Sequence, residues 1–154
     1  MSYTTNAKVI ARFENELEVA FLTNTSDTGV PDQAVITECR GRAEGEIDSY
    51  LRRRYQVPVD CTGDTTLAAI LDSAALDLAQ YNLLVRGNVM PEAKKNAREN
   101  VLVWLNDIVE GNAELPATAV LASTQSESGK VAWGTAGTGD TSQRRFTRAT
   151  QENL

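Results

Sequence analysis

The chain has 154 residues, 42% of them hydrophobic and 23% charged. That is enough for one buried core of ordinary size and thin for two, and it excludes wholesale disorder. Fifteen Lys and Arg stand against 21 Asp and Glu, and there is no His. A net charge of −6 disfavours wrapping nucleic acid, and the missing His removes the commonest general base, metal ligand and pH switch.

The opening residues lack a basic region followed by an apolar stretch, so no signal peptide is expected. The most apolar window, residues 67–85, is broken by Asp72, Asp77, Gln80 and Asn82, and is not expected to span a membrane. Cys39 and Cys61 make neither a disulfide framework nor a four-ligand metal site. The expectation is a soluble protein made in a reducing cytoplasm.

Helical periodicity runs through residues 1–111. Thr5 can cap a short first helix whose apolar side is Val9, Ile10 and Phe13. A second short piece holds Leu17, Phe21 and Leu22 as its apolar residues, and a polar loop follows to Pro31. A long helix is predicted over residues 32–55 with Asp32 as cap. Ile36, Cys39, Ala43, Ile47, Tyr50 and Leu51 form one stripe of it. Gly41 and Gly45 share a face one turn apart. They mark either a close backbone approach or a merely weakened helix.

The next helix is predicted over residues 65–86, capped by Asp64 or Thr65 and stopped by Gly87. Leu67, Ile70, Leu71, Ala74, Leu78, Tyr81 and Val85 form its main stripe; Ala68, Ala75, Leu76, Ala79 and Leu83 cover much of the rest. A helix apolar on most sides is central to a bundle or shares a face with another subunit. Gly41, Gly45, Leu76 and Leu83 are therefore the candidate subunit interface. The last helix is predicted from Pro91 at its first position to Glu110, with Gly111 as stop. Ala97, Val101, Trp104, Leu105 and Ile108 should face the core. The expected fold is all-α: a small antiparallel helical bundle with a long extended C-terminal tail.

Chemistry is sparse. Aligning Gly29 with the glycine of a calcium loop leaves Val35 where the bidentate acid belongs, so residues 24–32 read as a structural turn. Cys39 reads as a small core residue, and Asp60 and Asp64 disfavour a thiolate at Cys61. Arg52-Arg53-Arg54 sits near a helix C-terminus, where positive charge is favourable, and is otherwise a contact for an acidic partner or DNA. Glu44, Glu46 and Asp48 read as a solvated face. Neither catalytic residues, a metal nor a cofactor is expected, and the chain does not read as an enzyme.

Residues 112–154 differ. Ala, Thr, Ser and Gly make up 22 of these 43 residues, too many to build a core, yet Trp133 and Phe146 are spaced among them. Residues 118–123 and 130–133 could pair as a short hairpin. Arg144-Arg145-Phe146-Thr147-Arg148 places an aromatic anchor among three charged forks. Trp133, Arg144, Arg145, Phe146 and Arg148 are the candidate docking residues, suited to laying single side chains into pockets of another surface.

Several motifs resemble a small virion-assembly protein family of Mu-like phages and prophages. They are Ile10-Ala11-Arg12-Phe13 with Glu16-Leu17, then Ile47-Asp48-Ser49-Tyr50-Leu51 with Arg54-Tyr55 and Val57-Pro58. Further on come Leu67, Ile70, Asp77-Leu78-Ala79 and Tyr81, then Trp104-Leu105 and Gly111 before Leu115. Arg145-Phe146-Thr147-Arg148 resembles the family's C-terminal motif. The family is similar in helical plan to the head–tail connector (adaptor) proteins of tailed phages. The resemblance implies a twelvefold homo-oligomeric ring in the neck of the virion, touching the portal protein and a downstream neck or tail-completion protein. Genomic DNA would pass through the ring without sequence-specific binding, and no membrane is involved. Family members often carry a more acidic loop at residues 25–28, so no metal is carried over. The alternative is a small helical assembly factor or regulator that binds a partner and leaves the particle.

Overall fold

A computed structural model describes residues 2–24, 27–116, 119 and 121. It contains five helices: α1 (Asn6–Ala11), α2 (Glu16–Leu22), α3 (Gln33–Leu51), α4 (Thr65–Arg86) and α5 (Glu92–Glu110). Four begin at a side-chain cap that satisfies an orphan backbone N–H. Thr5 Oγ1 accepts from the Lys8 amide, Asn15 Oδ1 from Leu17, Asp32 Oδ1 from Ala34 and Asp64 Oδ1 from Leu67. Pro91 stands just outside α5 in an extended conformation and supplies no side-chain cap. Gly111, at φ +88°, closes α5 in the left-handed conformation that glycine tolerates best.

The end of α4 departs from expectation. Gly87 has φ −76°, open to any residue, and Asn88 takes the left-handed turn at φ 55°. Gly87 is needed for space, because a Cβ there would overlap Leu22 Cδ2.

Helices α3, α4 and α5 form an antiparallel three-helix core. Helix α1 packs on α3 and α4, and α2 on α1 and α4. Ile36, Ile47 and Leu51 of α3, Leu67, Leu71, Leu78 and Leu83 of α4, and Leu105 and Ile108 of α5 are wholly buried. Each contributes roughly 1.5–3 kcal/mol of hydrophobic stabilisation. The predicted α3 stripe is buried apart from half-buried Tyr50, and the helix stops at Leu51 rather than Tyr55. Helix α4 is buried on most sides, but Ile70 and Val85 of its predicted stripe are exposed. Leu76 and Leu83 of the candidate interface are buried among the chain's own helices, because α1, α2, α3 and α5 together surround α4.

Two further placements differ from the sequence reading. In α2 the buried residues are Val19, Ala20 and Leu22, while Leu17 and Phe21 are 58% and 60% exposed. In addition, packing continues past residue 111. Leu115 and Ala119 are buried in the core, the Leu115 amide donates to Tyr55 Oη at 3.1 Å, and Leu121 makes an antiparallel backbone pairing with Tyr55. The compact helical unit extends to Ser123.

Candidate functional site

The three carboxylates read as a solvated face each hold a structural partner. Glu44 Oε1 accepts from Ser2 Oγ at 2.6 Å, the Tyr3 amide at 3.1 Å and the Thr4 amide at 3.3 Å. Asp48 accepts from the Tyr3 hydroxyl, which itself accepts from the Val59 amide at 2.8 Å. The N-terminal strap is thus clasped to α3 and to the loop after it. Burial and the bond to Asp48 push the Tyr3 phenol well above its ordinary value. Glu46 pairs with Arg98 at 2.8 Å, and the Arg98 guanidinium lies 4.9 Å from the centre of the Tyr81 ring, so one arginine joins α5 to α3 and α4. Glu44 and Asp48 are committed to the strap and Glu46 to joining helices.

Neither cysteine is an activated nucleophile. Burial pushes both thiols up, and at Cys61 the charges of Asp60 and Asp64 add to the rise. Among the described residues, no group of three or more His, Cys, Asp or Glu side chains could hold a metal ion. No helix among them is long and apolar enough to cross a membrane.

The chemistry available lies on surfaces. Between α4 and α5 an open groove of about 440 Å³ is lined by Ile70, Ala74, Ala97, Val101 and Trp104, with Ser73, Asp77 and Asn100 as its polar members. Trp104 and Ala97, expected in the core, are only half-buried because they form this groove's wall.

At the end of the bundle where α3 begins, α2 presents Leu17 and Phe21 one turn apart. Val30 lies beside them, 64% exposed, on the loop whose Gly29 approaches Leu17 so closely that a Cβ would sit 3.2 Å from Leu17 Cδ2. Thr23 Oγ1 accepts from the Asp32 amide at 3.2 Å and fixes α2 against the start of α3. Glu14, Glu16, Glu18 and Asp27 are exposed with no described cation paired to them, and Glu14 and Glu18 line a separate cleft with Arg12 and Lys94.

At the opposite end, the three-arginine run divides its roles. Arg54 Nη1 donates to the Ile108 carbonyl at 3.0 Å and neutralises the C-terminal end of α5, with Glu114 3.5 Å from its Nη2. The predicted dipole role is therefore played on a neighbouring helix. Arg52 and Arg53 remain exposed without a described acidic partner, on the same end as Leu121, which is 59% exposed.

Of the residues singled out from sequence, Gly41 and Gly45 lie on an exposed face of α3, with nothing within 4 Å of where a Cβ would stand. Among the described residues, no backbone outside α3 approaches them. Trp133, Arg144, Arg145, Phe146 and Arg148 lie outside the described residues, as does the predicted hairpin apart from Ala119 and Leu121. The clasp at Glu44 and the ledge at Leu17 and Phe21 escaped the sequence reading. Six acids without a single Lys or Arg across residues 13–39 were the available signal for the ledge.

Comparison with known proteins places this helical body. The family described as Bacteriophage Mu, Gp36 matches residues 3–133, most of the chain, and the protein belongs to that family. It is thus a protein of the Mu-like phage class. No curated protein matches it.

Proposed function

We propose that this chain is a structural subunit of the virion neck, a head–tail connector that assembles as a ring between portal and tail and lengthens the DNA channel. The observation that carries the reading is the conjunction of membership in a Mu phage family with a small helical body whose Leu17, Phe21, Val30, Val103 and Leu121 stand uncovered. Such surface suits permanent neighbours. A body of net negative charge repels a passing duplex and keeps it mobile. In this reading the open Gly41–Gly45 face of α3 accepts close approach of a neighbour, residues 124–154 dock on the portal or the next ring, and no catalytic step is involved.

Mass analysis of purified virions of the encoding phage tests this. The chain should be present at a fixed copy number relative to the portal, and a nonsense mutant should accumulate filled heads and separate tails. A chain that is essential yet missing from finished particles would make it the assembly factor instead. Truncation after Ser123 keeps Leu115 and Ala119 while removing Trp133 and Phe146; particles carrying it should fail to join.

A further inference from the structure

Leu17 and Phe21 of α2 and Val30 of the loop after it stand exposed as a seat that is already built. Gly29 closes on Leu17, and the Asp32 amide donates to Thr23 Oγ1. Helix and loop are thus held together before anything binds, which lowers the ordering cost of binding.

The charge that accompanies the seat is uncompensated. Residues 13–39 carry six acids and no Lys or Arg. Asp32 caps α3, and Glu38 pairs with Arg42 and Arg86. Glu16 adjoins Leu17 in the chain, Glu18 lies one helical turn before Phe21, and Asp27 precedes Val30 on its loop. None of these three has a described cation partner. The cations of this region are engaged elsewhere: Arg12 by Asp77 at 3.6 Å, Lys94 by Gln80 at 2.9 Å, Arg86 by Glu38 and Lys95 by Glu92 at 3.1 Å.

An apolar seat with free carboxylates suits an apolar anchor flanked by cations. Residues 141–151 have that chemistry: Arg144, Arg145, Phe146 and Arg148 with no acid among them. The nearest acids, Asp140 and Glu152, are each four residues from an arginine. The run at Arg52 to Arg54 lacks it, because Tyr55 is buried and Asp60, Glu110 and Glu114 stand exposed at that end. The seat abuts Asp32 at the start of α3, whereas Leu121 pairs with Tyr55 just past its end, about 28 Å along the helix. The 24 residues between Leu121 and Phe146 can span up to roughly 80 Å, and they leave from the end away from the chain's own seat.

We propose that the Leu17–Phe21–Val30 seat of one copy takes Phe146 of a second copy, with Arg144, Arg145 and Arg148 set against Glu16, Glu18 and Asp27. The contact joins two different patches and is therefore heterologous. It goes beyond the neck reading and does not rest on it, being a property of the purified chain.

Sedimentation of the full-length protein at rising concentration tests it. The wild type should associate, more weakly at high salt. Full-length Phe146→Ala should associate at least about tenfold more weakly, and so should Glu16→Lys/Glu18→Lys and Arg144→Glu/Arg145→Glu. Mixing the two charge-reversed proteins should restore association, because the reversed seat of one then meets the reversed anchor of the other; a seat that had merely unfolded could not be rescued in this way. A wild type that stays monomeric at millimolar concentration overturns the proposal. So does a Phe146→Ala protein that associates like wild type, or a mixture that recovers nothing. Virion mass analysis bears on the neck reading alone, so the two can fail separately.

Discussion

At the scale of single residues, the Tyr3 hydroxyl ties the N-terminal strap both to α3 and to the loop after it. It donates to Asp48 and accepts from the buried Val59 amide, 56 positions away in the chain. Tyr3→Phe removes both bonds and leaves that amide without its partner, which should cost about 1–3 kcal/mol in a urea titration. The same atom imposes a pH dependence. The phenol is raised in the folded chain above its ordinary 10.0. Its stabilising contribution is therefore complete below pH 10.0 and is lost as pH climbs above that toward the folded value. The alkaline fall in melting temperature should be shallower in Tyr3→Phe. None of this was legible beforehand. Tyr3 lies 41 and 45 positions from Glu44 and Asp48, and periodicity says only that acids on α3 lie away from its core stripe. The charge part of the Cys61 rise was legible because Asp60 and Asp64 lie within three residues of it, whereas its burial was not.

At the scale of elements, local rules performed well where the chemistry is local. The caps Thr5, Asp32 and Asp64 and the left-handed Gly111 all act within four residues of themselves. Spacing gave the α3 stripe apart from half-buried Tyr50, and most of the α4 stripe, whose Ile70 and Val85 are exposed instead. Gly87 shows the limit: its identity is set by Leu22, not by the turn. An alanine there has no backbone penalty and a better helix propensity, so propensity alone forecasts stabilisation. Since Leu22 is buried and its Cδ2 methyl would have to move within the packed core, Gly87→Ala should instead destabilise by about 1–3 kcal/mol. Trimming the obstacle in a Gly87→Ala/Leu22→Ala double variant should cost less than the two single changes added together, measured by thermal or denaturant unfolding. Helix α2 was misjudged for another reason. Apolar residues at i and i+4 identify a face but not what covers it, and here Leu17 and Phe21 point away from the chain's own core.

At the scale of the whole molecule, the sequence reading recovered the class of fold and the family, while the end of the packed body escaped it. Residues 112–121 contain few large side chains, and composition alone assigned them to a tail. Leu115 and Ala119 nonetheless complete the core between α3 and α5 because Arg54 and Tyr55 hold the chain there. A chain cut after Gly111 should therefore be less stable than one cut after Ser123, by about 2–4 kcal/mol for the lost burial and bonds. Comparing the two truncations by chemical denaturation checks this directly.

The Tyr55–Leu121 pairing and the Tyr55 hydroxyl act on the same stretch of chain from two sides. One aromatic residue thus closes the bundle with both its backbone and its side chain. Loss of that side chain should loosen Leu115 and, through it, the pairing at Leu121.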